Sequence, residues 1–395
     1  MAKILFLGGS YMQLAAINYA KSQNHYTICA DYLKNSPGHR IADESYLIST
    51  TDGDLIYELA KNSNVDAVIA YASDPAAPIA SKVSEQLGLI GNPYNSVLTL
   101  TMKNRFRDFL QRNDFNTPLY SVFDNLISLE RHFSNKKIVI KPVDSSGSKG
   151  VSVVSTKDEI KIAFENAMRY SRSKQIIAEE FVPMTGYQIA GDGFVYRGKL
   201  VFRCFANEHF NSSGNSHVPI GESFPYIDEC LLSSKIHAEI QRLITLLDIK
   251  VGALNFDIRV NGTDIYLMEI GPRNGGNFIP ELIKISTGQD LIKFTIDAHL
   301  GKTCDDLIMM HPKGFYSSYI IHSKKHGILK EIIFDRLMAN NIIRYEQWIY
   351  EGENVEVFND ASKSIGIIIL KFGTQDEMLK KMDMMSNYVI VKFQN

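Results

Sequence analysis

Residues 252–277, GALNFDIRVNGTDIYLMEIGPRNGGN, hold the stretch whose reading decides the fold. Two strand-like runs, 252–260 and 264–270, flank Asn261-Gly262-Thr263, a strong hairpin signal. Asp257 and Glu269 fall on these consecutive strands, and register decides whether they meet. A three-residue loop sets Val260 opposite Asp264, so that Asp257 faces Leu267 and Glu269 lies diagonal to it on the same face. A two-residue loop would turn Glu269 to the other face. We expect the three-residue register, in which two oxygen donors converge where magnesium could be bridged to phosphate oxygens. The competing reading is an exposed acidic pair. It is disfavoured because Glu269 sits in an apolar run, where a lone carboxylate is costly to bury. Arg273 follows in a Gly- and Asn-rich loop, placed to grip an anionic group bidentately.

Upstream, 139–154 reads VIKPVDSSGSKGVSVV. A strand ends in Lys141-Pro142, small residues run from 144 to 150, and a second strand begins. Backbone N–H groups in such a loop can approach an anion, with Lys141 as a point charge beside them. The order is neither GxxxxGK[ST] nor GxGxxG. By itself the loop also fits an ordinary glycine hairpin with a solvated Lys149. In AEEFV, 178–182, successive carboxylates point to opposite faces, so one could face a nucleotide. A charged helix is expected over 103–112 and others over 158–171 and 232–247. Strands at 175–181, 187–195 and 200–205 make this region largely antiparallel.

The first ninety residues alternate strands (4–7, 26–30, 46–48, 67–71) with helical patterns, the mark of a parallel sheet with right-handed crossovers. Loops at the carboxyl ends of such strands form a crevice, which singles out Gly9, Ser10, Ser73 and Asp74. A last segment is strand-rich (314–322, 366–372, 389–393). The expected fold class is α/β and α+β, divided into 1–95, 96–300 and 301–395.

At 395 residues the chain is too long for one core. Its net charge of −2 supplies no long-range field to recruit nucleic acid or an anionic membrane, and neither partner is expected. Cys29, Cys204, Cys230 and Cys304 are far apart, with no CxxC pair, and read as small buried hydrophobes in a reducing compartment. The opening apolar run is too short for a signal peptide, and no stretch approaches the ~20 apolar residues of a spanning helix, so the cytoplasm is the expected location.

Taken in order, Lys103, Lys141-Pro142, the glycine loop, Glu179-Glu180-Phe181, Asp257 and Glu269-Ile270-x-Pro-Arg273 resemble the ATP-grasp superfamily, in particular the branch of biotin carboxylase, carbamoyl-phosphate synthetase and the amino-acid ligases. The resemblance spans the whole chain: a Rossmann-like pre-ATP-grasp domain, a two-lobed grasp fold and a small C-terminal domain. It implies ATP and Mg2+ as cofactors. It implies that Lys103 and Lys141 contact the α- and β-phosphates, and that Ser145, Ser146, Gly147, Ser148 and Gly150 belong to a mobile loop closing over them. Glu179 then lies at the adenine edge, Glu180 and Val182 at the hinge, and Gln188 near the ribose, where many relatives carry Glu. Asp257 and Glu269 become the metal carboxylates, and Arg273 the arginine that steadies an acyl phosphate. Relatives commonly carry Asn where this chain has Gly271, so one metal contact is either lost or supplied by Asn274.

The implied activity is a ligase that phosphorylates a carboxylate for attack by an amine, with both substrates small molecules. Bicarbonate or formate as the activated acid, and a non-catalytic nucleotide sensor, are the alternatives. An NAD-binding oxidoreductase suggested by Gly8-Gly9 and Asp31 has the wrong spacing after the first strand, and Asp31 is more simply a loop residue at a strand end. Oligomeric state stays open, a homodimer being the commonest assembly of soluble enzymes. His209, His217 and His322 read as surface or core residues rather than substrate ligands. Trp348 and the methionines of 378–385 read as packing in the last domain.

Overall fold

The structure is a computed structural model, and it describes residues 1–134, 136–210, 218–227 and 229–394. In the first layer β1 (Lys3–Leu7), β2 (Tyr26–Ala30), β3 (Glu44–Tyr46) and β4 (Ala67–Ile69) form a parallel sheet in the order β3-β2-β1-β4. Helices cover both faces, so β1 and β4 carry almost unbroken apolar runs, ILFL and AVI, all buried. Asp31 is more than a loop residue at a strand end. Its carboxylate accepts hydrogen bonds from Gly9 N (2.9 Å), Leu33 N (2.8 Å) and Ser36 Oγ (3.0 Å), closing the glycine turn on itself.

A second sheet, β5 (Tyr120–Phe123), β6 (Ile138–Pro142), β7 (Ser152–Val154) and β8 (Ile176–Glu180), is antiparallel in the order β5-β8-β6-β7. The helix Lys157–Tyr170 packs on it, started by a capping box between Thr156 and Glu159. The remaining strands are β9 (Gln188–Tyr196), β10 (Lys199–Phe210), β11 (Pro219–Phe224), β12 (Val251–Asn261), β13 (Asp264–Gly271), β14 (Phe315–Ile321), β15 (Gly327–Phe334), β16 (Ile342–Gln347), β17 (Asn354–Val355), β18 (Gly366–Phe372) and β19 (Val389–Phe393). Eight of them make one sheet, β13-β12-β9-β10-β11-β14-β18-β16, while β17-β15-β19 stand apart. The boundary expected at residue 300 is crossed by this sheet, because β11 pairs with β14.

Both faces of the large sheet are covered, and β9 is buried along nearly its whole length. One face packs on the helix Glu229–Leu246 through Ile236, Ile240, Leu243 and Ile244, the spacing of a single helical stripe. The helix Leu291–His299 turns the other way and puts Ile292 and Ile296 into the first layer's core beside Ile4, Phe6 and Ile17. Asn92 ties the same two regions: its side chain donates to Val251 O (2.7 Å) and accepts from Lys250 N (2.8 Å) and Val251 N (3.1 Å). Trp348 packs beyond the last segment, stacking on Tyr11 with ring centroids 5.3 Å apart. Met378, Met382 and Met385 are buried, as expected, whereas Met384 is exposed.

Candidate active site

The hairpin corrects the sequence reading in one respect and keeps its consequence. Asn261 pairs with Asp264, so the turn has two residues rather than three. Arg259 then faces Tyr266 and Ile258 faces Leu267, a register that would carry Glu269 to the core face. It does not, because a β-bulge at Met268 inserts an extra residue and sets Asp257 directly opposite Glu269. The bulge costs a ladder bond at Met268, whose carbonyl instead accepts from Arg107 Nη2 at 2.9 Å. Leu267 and Ile270 stay in the core on the far face. Burial, and then the charge of Glu269, push the Asp257 carboxyl up to about 7. Two carboxylates facing each other under such strain suit a cation between them. Among the described residues no group of three or more His, Cys, Asp or Glu could hold a metal ion, so a cation here would take its other ligands from water or phosphate oxygens.

Lys103, the first residue of the helix Lys103–Arg112, joins the hairpin to the glycine loop. Its Nζ donates to Ser145 O and lies 3.4 Å from Glu269 Oε2. The loop is anchored at its start and at its middle. The Asp144 carboxylate accepts from Arg172 N (3.1 Å) and Ser173 N (2.7 Å), and Gly147 O accepts from Ala361 N (3.2 Å) in the C-terminal segment. Gly147, Ser148 and Gly150 have left-handed φ, which turns the backbone sharply between β6 and β7.

Lys141, next to last in β6, is 9% exposed, with its Nζ 2.7 Å from Glu179 Oε2. Glu179 is only 1% exposed. Its other oxygen lies 2.9 Å from Arg107 Nε, one turn along the helix from Lys103. Burial alone would raise the Glu179 carboxyl, but Arg107 and Lys141 hold it down to about 2. Burial lowers Lys141 to about 8 against the pull of Glu179. Glu180 is exposed, and the Val182 carbonyl accepts from Arg259 Nη1 at 2.9 Å. Gln188 bridges Arg259 Nε (2.7 Å to its Oε1) and the buried Glu208 carboxylate. Beside it Glu208 and Glu222 are raised well above the carboxylate range, by burial first and then by neighbouring acids.

Of the four crevice residues singled out in the first layer, Asp74 lines a cleft of 310 Å3 with Lys103, Asp144, Ser145, Ser146 and Glu269. It also grips Arg273 in a two-pronged ion pair, 2.8 Å on each prong. Asn274 does not reach toward the carboxylates: its Oδ1 accepts from Thr295 Oγ1 at 3.0 Å. His209 is buried between Asp383 and Ser223, and His322 packs on Phe358, so both serve packing; His217 lies outside the described residues. Cys29, Cys204 and Cys304 are buried and in no disulfide among the described residues; Cys230 falls in a stretch whose side chains are not described.

The sequence reading missed Arg107, Asp144 and Asp192. Arg107 had a signal, since four residues after Lys103 on one helix is the same face. Asp192 is fully buried on β9 and holds Asn255 Nδ2 (2.9 Å) and Gly275 N (2.7 Å), fixing the loop after Arg273. Nothing local marks it, because its partners are distant in sequence.

Comparison with known proteins bears on the same residues. Residues 101–277 match the family model of the ATP-grasp domain. A formate-dependent phosphoribosylglycinamide formyltransferase of Prochlorococcus marinus (strain NATL1A) is 29% identical over 186 residues, 46% of this chain and 48% of the relative. Its counterpart from Rhodococcus jostii (strain RHA1) is 25% identical over 285 residues, covering 69% of this chain and 68% of the relative. The chain thus spans about half the length of the first curated relatives it matches, 48%. The solved structure of an L-amino acid ligase from Bacillus licheniformis superposes with a TM-score of 0.84 at 19% identity, covering 100% of this chain and 99% of that one. A phosphoribosylglycinamide synthetase from Anaerococcus prevotii gives 0.75 at 21%, over 100% of both. The chain therefore has the fold of ATP-grasp enzymes.

Proposed function

From an ATP-grasp domain over residues 101–277, we propose that this chain is a Mg2+- and ATP-dependent ligase that converts a small carboxylate to its acyl phosphate for attack by an amine, giving an amide, ADP and phosphate. The observation that carries the reading is the bulged hairpin. It brings Asp257 opposite Glu269, and Glu269 lines a cleft together with Lys103 and Ser145 and Ser146 of the glycine loop. Bound there, magnesium would neutralise charge on the triphosphate.

In this scheme Lys103 and Lys141 meet the α- and β-phosphates. Ser145, Ser146, Gly147, Ser148 and Gly150 close over them, with backbone N–H groups turned to phosphate oxygens. Glu179, Glu180 and Val182 border the adenine and Gln188 the ribose. The substrate carboxylate attacks the γ-phosphorus in line, and Arg273 holds the acyl phosphate. Closure keeps water from a mixed anhydride that it would hydrolyse. The amine then attacks the acyl carbon, the C–O bond to phosphate breaks, and the amine loses a proton. No side-chain nucleophile is required. No helix of the described residues is long and apolar enough to cross a membrane, which agrees with work in the cytoplasm on small molecules. A homodimer is the first assembly to test.

The relatives' names favour one second reading, in which the activated acid is formate; bicarbonate is the further one-carbon candidate. Phosphate release with Mg·ATP against paired carboxylates and amines, with and without formate or bicarbonate, separates the readings. Release that needs both an organic acid and an amine supports the ligase. Release with formate or bicarbonate alone moves the acid to one carbon. ATP binding with no release under any pairing would instead favour a nucleotide sensor.

A further inference from the structure

One contact joins the first layer to the loop that follows the hairpin: Asp74 lines the cleft, while Arg273 lines a second cavity of 50 Å3. Asp74, in the loop after β4, meets Arg273 side-on, with Nε 2.8 Å from Oδ1 and Nη2 2.8 Å from Oδ2, while Nη1 donates to Asn274 O at 3.1 Å. A guanidinium has five N–H donors in a fixed plane. Three are engaged here, which leaves one on each terminal nitrogen. The two side chains are only 13% and 14% exposed, so the fork is held almost out of water.

Gly271 makes this contact possible. Its φ is not left-handed, so the backbone there does not call for glycine. Space does: a Cβ at 271 would lie 2.9 Å from Asp74 Oδ1 and 3.2 Å from Arg273 Cζ. A side chain at this position would force the Asp74–Arg273 fork to shift from the geometry it has here.

We propose that Asp74 is a positioning residue: seated in the space that Gly271 leaves open, it fixes Arg273 from the first layer, so that the remaining guanidinium donors face the anion formed in the cleft. The proposal rests on the ligase reading, because that reading supplies the acyl phosphate. It also assigns the first layer a share in the chemistry, since part of the arginine's orientation comes from a loop outside the ATP-grasp domain. The competing account makes the fork a docking contact between layers, which would affect stability and leave the chemistry alone.

The test uses Asp74→Ala, Gly271→Ala and the double variant in the full chain, with two readouts. In acid-dependent phosphate release, each single variant should lose about 100-fold in kcat while KM for Mg·ATP stays within about threefold. The double variant should be no worse than Asp74→Ala, because both changes remove the same contact. The second readout is the affinity for inorganic phosphate, titrated with and without Mg·ADP, and it should weaken about tenfold in each variant. Failure of the ligase reading shows in the wild type, as release that no acid stimulates, and the phosphate titration still tests Asp74. Asp74→Asn keeps one acceptor and should fall between; it carries the comparison if the alanine variant does not fold. Unchanged kcat and phosphate affinity in a folded Asp74→Ala protein, single effects that add in the double variant, or no phosphate binding by the wild type would each overturn the proposal.

Discussion

Replacing Glu179 by Gln removes the carboxylate between Arg107 and Lys141 while keeping its shape. The fold lowers Glu179 from 4.5 to about 2, worth about 3 kcal/mol at neutral pH. A carboxylate with a depressed folded value gives stability that is present above 4.5 and lost as the pH falls toward 2. Lys141 works the other way. Its fall from 10.5 to about 8 means that the charged amine costs about 3 kcal/mol below pH 8, a cost that fades as the pH rises to 10.5. The two nearly cancel, as expected for a buried pair that adds little net stability yet is expensive to break. Glu179→Gln should therefore destabilise the chain by about 3 kcal/mol at pH 7. Lys141 should drop further, since Glu179 is the main influence raising it, and the amine should lose its charge at a lower pH than in the wild type. Denaturant unfolding at pH 7 reads the first effect, and Mg·ATP affinity at pH 6, 7 and 8 reads the second. Wild-type affinity should weaken only toward pH 8, whereas the variant should already be weakened at 7. Adding Lys141→Met to the variant should recover stability, because the burial cost of the amine goes with it. An unfolding midpoint unchanged at pH 7, or a double variant less stable than Glu179→Gln alone, would refute the reasoning.

Lys141→Ala should abolish phosphate release and weaken Mg·ATP binding; a rate equal to wild type would remove the phosphate-site assignment. Burial raises Asp192 from 3.8 to about 6, so its ionisation costs stability that grows as the pH climbs from 3.8 to 6. The stability of Asp192→Asn relative to wild type should therefore be more favourable at pH 8 than at pH 4, by up to about 3 kcal/mol, in thermal unfolding at both values. Gly150 has φ +73°, and a Cβ there would lie 3.0 Å from Pro142 Cγ and 3.2 Å from Ala167 Cα. Gly150→Ala should cost about 1–3 kcal/mol and raise KM for ATP, measured by unfolding and steady-state kinetics. An alanine variant with wild-type stability would show that this loop is not held as described.

Much of the fold is legible because it depends on local patterns. The strand Gly366–Phe372, the strand Tyr26–Ala30 and the helix Lys103–Arg112 stand where apolar runs and charge periodicity put them. Strands that pair at long range with weaker patterns were missed. Ile342–Gln347 alternates exposed and half-buried residues at the sheet edge, and Gly327–Phe334 lies in a small separate sheet. The large sheet's passage through residue 300 was equally hidden, since nothing in β11 or β14 names its partner. Within the site, Lys103, Lys141 and the glycine loop could be read from sequence order. Asp74 could be read as a crevice residue but its partner could not, and Asp192 could not be read at all, because each acts on a residue more than eighty positions away.

The hairpin shows most sharply where sequence reasoning stops. Counting back from the turn assumes an unbroken ladder, and alternation then makes every position depend on loop length. With its two-residue turn, that count would bury Glu269 among the apolar residues behind the sheet. The chain avoids this by inserting Met268, which changes the parity between Leu267 and Glu269 while leaving Leu267 and Ile270 in the core. What makes the insertion tolerable is Arg107, whose guanidinium takes the carbonyl released by the bulge and at the same time lies against Glu179. One arginine therefore couples the bulge that aligns the acidic pair to the carboxylate that holds Lys141. A change at Arg107 would reach both the strand that carries Glu269 and the carboxylate paired with Lys141.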